Sequence, residues 1–152
     1  MKKQVMYGEE KDNMGTTIRP ELSGKNKYWI SRHRYYELKH FCLQYPMWKK
    51  VYSALEDLDI SSARITGMPS SNSISDITAE HATVKAYYSN RIQTVEDAAI
   101  KADPELCDYI LKAVTEGLSY TNLKARLEIP CGKDMYYDRY RRFFWLLNKS
   151  RN

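Results

Sequence analysis

The sequence predicts an all-α fold, a helical bundle that ends in a helix-turn-helix. Three observations carry that expectation. Apolar residues recur every three or four positions through most of the chain, and no stretch alternates apolar and polar residues as a half-buried strand does. Helix boundaries are marked by cap residues: Ser31, Asp76, Asp103-Pro104-Glu105, Gly117 and Ser119. The last third carries two amphipathic segments separated by a turn from Pro130 to Gly132.

Residues 1–24 are polar, contain Gly15, Pro20 and Gly24, and show no sustained period, so they read as a disordered or loosely docked arm. Residues 25–58 form an N-terminal helical hairpin. Its first helix covers about 31–44, capped by Ser31, with Trp29, Ile30, Tyr35 or Tyr36, Leu38 and Cys42 as the apolar set. Its second covers about 47–58, with Trp48, Val51, Tyr52, Leu55 and Leu58 on one face. The short link at Pro46 predicts antiparallel packing of the two.

Serine, glycine, proline and asparagine then dominate residues 59–75, which read as a linker between two lobes. Asp76 can cap a long helix over 77–102. Its stripe is Ile77, His81, Val84, Tyr88, Ile92, Val95, Ala99 and Ala102, with heptad-like steps interrupted by one stutter. That stripe suits a core helix of a bundle, and it also suits the seam of a homodimer. The last segment, 76–152, joins this long helix to helices at about 104–116, 119–127 and 133–148. Gly117 stops the first of these three, and Pro130 and Gly132 turn the chain before the last.

Charge is uneven. Residues 118–152 hold eight basic and three acidic side chains, an excess of five that equals the +5 of the whole chain. The preceding 117 residues carry 16 of each sign. A neutral body with a basic helical tip suits a polyanion partner, duplex DNA above all. On the last helix Tyr136, Tyr140, Phe143, Phe144 and Leu147 fall on one side and must face the core. The nucleic-acid candidates are then Lys124, Arg126, Lys133, Tyr137, Arg139, Arg141 and Arg142. Lys133, Met135, Tyr137 and Asp134 or Asp138 would face base edges, and the arginines would reach phosphates or pair with carboxylates such as Asp138 with Arg142. Arg32, Arg34, Tyr35 and Lys39 in the first helix are candidates for a second contact.

The string LSYTNLKARLEIPCGKDMYYDRYRRFFWLL resembles the end of phage late-gene transcription regulators of the RinA and ArpU type, whose C-terminal part is similar to region 4 of sigma factors. Leu118-Ser119-Tyr120, Leu123, Leu127, Ile129 and the tyrosine–arginine start of the last helix carry the resemblance, over about residues 104–149. It implies a small all-α phage or prophage protein that binds DNA and activates or tunes phage gene expression. The sequence departs from the pattern at Lys124, where a small residue is usual, and at Glu128, where the turn glycine is usual; the turn is about one residue longer.

Other functions have less in their favour. No glycine-rich phosphate loop or nucleophile–histidine–acid signature occurs, so no enzyme and no cofactor are expected. Cys42, Cys107 and Cys131 lack CxxC spacing, and His33, His40 and Cys42 lack metal-ligand spacing. No run reaches the length of a membrane span, and the N-terminus lacks the apolar run of a signal peptide, which points to a soluble intracellular protein; the resemblance implies that the cell is a bacterial host, and so a cytoplasmic location there. Two rivals to a DNA-reading regulator are a small terminase subunit for DNA packaging, and a phage-encoded inhibitor that grips a host nucleoprotein complex; RNA polymerase or another protein complex is a further candidate partner.

Overall fold

A computed structural model describes residues 25–64 and 72–152, the side chains of 62–64 and 72–75 excepted. The expected arm, 1–24, and the middle of the expected linker lie outside the described residues. Among those described the chain is all-α, with six helices and no strand.

Helix α1 is Arg32–Leu43. Ser31 caps it from an extended backbone, its hydroxyl accepting the Arg34 N–H at 3.4 Å. Gln44 alone separates α1 from α2, Tyr45–Arg64. Pro46 has no N–H to continue α1 and suits the first turn of α2 instead. The Gln44 carbonyl accepts from Met47 and Trp48, which starts the new helix.

α1 and α2 do not lie along each other as the expected hairpin requires. They meet near their junction, where the rings of Phe41 and Trp48 are 4.7 Å apart. The antiparallel pair is instead α2 with α3, Asn72–Ala102. Tyr45 bonds Glu96, and Lys85 pairs with Asp59 at 3.0 Å and Glu56 at 3.8 Å. The linker expected over 59–75 is therefore shorter at both ends: α2 continues to Arg64 and α3 begins at Asn72. Serine-rich sequence is compatible with helix when one face is held by a neighbour, and tertiary packing overrides a weak propensity.

The lower half of the α3 stripe is core. Ile92, Val95, Ala99 and Ala102 are buried where α3 meets α4 and α6. That half is therefore not available as a dimer seam. Ile77 and Val84, higher on the stripe, are exposed.

α4 is Cys107–Glu116, and it begins later than Pro104. The Asp103 carboxylate still caps the entry, accepting from the N–H groups of Glu105 and Leu106 at 2.9 and 3.2 Å. Gly117 closes α4 in the left-handed region, φ 70°. Ser119 then caps α5, Tyr120–Leu127, through the Asn122 N–H. α6 is Lys133–Ser150. Its buried face is Tyr136, Tyr140, Phe143, Phe144 and Leu147, the set that the period of the sequence marks.

Candidate nucleic-acid interface

The turn between α5 and α6 positions the basic tip. Glu128, not Gly132, takes the left-handed conformation, φ 52° and ψ 43°. Gly132 has an ordinary extended backbone, φ −75°, and stands at the N-cap of α6 with no side chain to cap it. Ile129 fills the core from the turn. Two α5 side chains tie the turn down: the Tyr120 hydroxyl donates to the Cys131 carbonyl at 2.8 Å, and Lys124 Nζ to the Ile129 carbonyl at 3.4 Å. Lys124 thus has a structural role as well as an exposed charge.

Lys133, Tyr137 and Arg141 share one flank of α6, because residues four apart stack on a helix surface. Lys133 Nζ lies 6.0 Å from the Tyr137 ring centroid. Tyr137 is half-buried against Tyr120 and Tyr136, at centroid distances of 6.3 and 5.1 Å. Burial raises its pKa, the nearby Arg141 guanidinium pulls it down, and Tyr120 pushes it up again. The Nε of Arg141 is shielded and has no hydrogen-bond partner among the described residues. Arg126, Lys133 and Met135 are exposed, and Arg142 is half-buried.

Arg139 stands apart. Its Nε meets Asp103 at 3.0 Å and its Nη1 meets Asp138 at 2.7 Å. Asp138 therefore pairs with Arg139 and not with Arg142. Of the seven candidates the structure brings together Lys133, Tyr137 and Arg141, turns Arg139 toward Asp103, ties Lys124 to the turn, and leaves Arg126 and Arg142 outside that column.

The proposed second contact does not form one surface. Tyr35 is 3% exposed, and its hydroxyl lies 3.0 Å from that of Tyr140; Lys39 is 8% exposed. Arg34 is committed to Asn148, Glu37 and the carbonyl of Arg151. Only Arg32 of the four is exposed, 5.8 Å from the Tyr36 ring centroid. Tyr35 and Lys39, four apart, share one face of α1 and are buried together, while Arg32 stays exposed, as α1 packs on α4 and α6.

Two of the cations counted in the basic third lie at the other end of α6. Lys149 sits 3.6 Å from the Trp145 ring centroid and Arg151 sits 3.7 Å from that of Phe41. Arg91 likewise stacks on Tyr87 at 4.2 Å, beside Phe41 and Trp48. The Lys149–Trp145 and Arg91–Tyr87 stacks join residues four apart on one helix, a spacing visible in the sequence, whereas nothing in the linear pattern marks those of Arg151 and Arg91 on Phe41 and Trp48, whose partners lie on other elements.

Among the described residues no group of three or more His, Cys, Asp or Glu is placed to hold a metal ion. All three cysteines are free, and burial pushes the Cys42 thiol well up, with Arg151 pulling it down. No described helix is long and apolar enough to cross a membrane. An open cleft of about 340 Å³ between α3 and α6 mixes Asp97 with Lys101 and Lys149, so it presents no single sign of charge. No protein-family model, curated protein or solved structure matches the chain.

Proposed function

We propose that the chain binds duplex DNA, with α4, α5 and α6 as a helix-turn-helix variant and the start of α6 as the reading element. One observation carries this. Lys133 and Arg126 stand around the turn and the start of α6, and Arg142 stands at its middle, with no ion pair among the described residues, while the chain before residue 118 is neutral. Unpaired cations beside uncapped helix N–H groups suit phosphate, and they set the helix start against a groove.

In this reading Lys133, Tyr137 and Arg141 form the contact column, with Met135 and Lys133 nearest the base edges and Arg126 and Arg142 on flanking phosphates. Arg139 positions the helix by holding Asp103 and does not touch DNA. The role is that of a phage or prophage transcription regulator acting in the cytoplasm of a bacterial host, in keeping with the resemblance over residues 104–149. Catalysis has no part in it.

The test is fluorescence anisotropy with a random-sequence duplex at low salt. Binding at micromolar protein, weakening as salt rises, is expected. The double change Lys133→Glu with Arg141→Glu should abolish binding and leave the helical circular dichroism intact. Absence of binding by the folded wild-type chain overturns the reading and favours the protein-gripping inhibitor.

A further inference from the structure

α3 outruns the bundle. At 1.5 Å per residue its 31 residues span about 46 Å, against about 27 Å for the 18 of α6. Beyond the bundle, among the described residues, only α2 accompanies it. The stripe whose lower half is core continues upward on the same side, through Ile77, 54% exposed, and Val84, 42% exposed. Tyr87 and Leu58, each 52% exposed, flank that stripe on α3 and α2. Four large apolar side chains are thus left on a face two helices wide.

We propose that a second copy of this chain covers this face, with the two α3 helices antiparallel about a twofold axis beside Val84. Two features point to a copy of the same chain. First, a two-helix layer with one apolar face is completed by an equal layer into a four-helix bundle, and a twofold interface makes one patch complement itself. Second, the charges along the stripe are complementary only in the antiparallel sense. Asp76 and Glu80 are exposed at its upper end, and neither has an ion pair among the described residues. Arg91 lies at the lower end, stacked 4.2 Å from the Tyr87 ring centroid, with a shielded Nε that has no hydrogen-bond partner among the described residues.

The register follows from those positions. Ile77 and Arg91 lie equally far from Val84 along α3, on opposite sides of it. The Arg91 guanidinium leans back over Tyr87, one turn toward the helix start. An antiparallel mate centred on Val84 brings its own Glu80 to that level. Glu80 of each copy then pairs with Arg91 of the other, and Ile77 packs on the aliphatic stem of that arginine. This dimer face does not depend on DNA binding by the basic tip.

Sedimentation equilibrium over a range of protein concentrations tests it. The wild-type chain should be dimeric at micromolar concentration. Val84→Glu, at an exposed position, should leave the circular dichroism unchanged and weaken the dimer by about tenfold or more. Glu80→Lys should weaken it too, as should Arg91→Glu. An equimolar mixture of those two single variants should restore dimers, since the mixed pair regains both ion pairs. If Arg91→Glu does not fold, Val84→Cys serves instead: mild oxidation should link two copies through the introduced thiols beside the axis, with the unmodified chain as control. A wild-type monomer at all concentrations, a dimer indifferent to Val84→Glu, or a ring of many subunits overturns the proposal.

Discussion

Arg139 Nε donates to Asp103 Oδ2 at 3.0 Å, across 36 positions of sequence. The bond joins the middle of α6 to the link between α3 and α4, so it fixes how the basic tip sits on the bundle. Asp103 is mostly shielded and Arg139 is about a third exposed. Arg139→Ala should therefore cost about 1–2 kcal/mol of stability, a charged hydrogen bond reduced by partial screening. Urea unfolding measures it. The salt dependence of DNA binding should not change; a reduced slope would make Arg139 a contact.

The same pair predicts a response to acid. Burial opposes ionisation of Asp103, but the bonds from Arg139, Leu106 and Glu105 outweigh it and hold its pKa below the ordinary carboxylate value. The unfolded value is about 3.9. A depressed folded pKa contributes stability in full above the unfolded value, and that contribution is lost as pH falls through the folded one. Asp103→Asn should thus flatten the acid limb of stability below about pH 5, and its deficit should shrink toward low pH. Thermal melts at a series of pH values decide the matter.

Removing Arg126 or Arg142, the residues placed on flanking phosphates, should weaken DNA binding for every sequence. Each Ala variant is expected to reduce the slope of log affinity against log salt by about 0.9. Tyr137→Phe should have little effect on the slope, because the tyrosine contributes its ring and not a charge. Anisotropy titrations at several salt concentrations measure all three.

Tyr35 and Tyr140 share a buried hydroxyl pair at 3.0 Å. Tyr35→Phe leaves the Tyr140 hydroxyl buried without that partner and should cost about 1–3 kcal/mol. The double change to phenylalanine should cost less than the two single changes added together. Additivity within about 0.5 kcal/mol would mean that the two hydroxyls are not coupled.

The turn offers two stabilising changes. Glu128 holds a left-handed backbone at a cost of about 1–2 kcal/mol for a residue with a Cβ. Glu128→Gly should recover about 0.5–1 kcal/mol after glycine's greater unfolded entropy is charged against it. At Gly132 an added Cβ meets nothing within 4 Å, and the backbone is one that serine adopts freely. Gly132→Ser should supply the missing cap and gain about 0.5–1 kcal/mol. Denaturant midpoints test both.

The sequence by itself determined what depends on neighbours a few residues apart. Helical class, the caps at Ser31 and Ser119, the stop at Gly117 and the aromatic face of α6 follow from local sterics, hydrogen bonding and a period near 3.6. The long helix through Val84 and Ile92 was legible for the same reason, and so was the concentration of charge after residue 118. Only the tertiary structure decided which helices lie together. Lys39 looks like a surface residue, and Tyr35 no more buried than Tyr36, until α1 is packed on its neighbours, and Arg139 looks like a phosphate contact until Asp103 is brought beside it. Ile77 and Ile92 occupy one stripe, yet one is exposed and the other buried, because α6 is too short to cover both. Burial and ion pairing are set by contacts distant in sequence, and a local period cannot encode them.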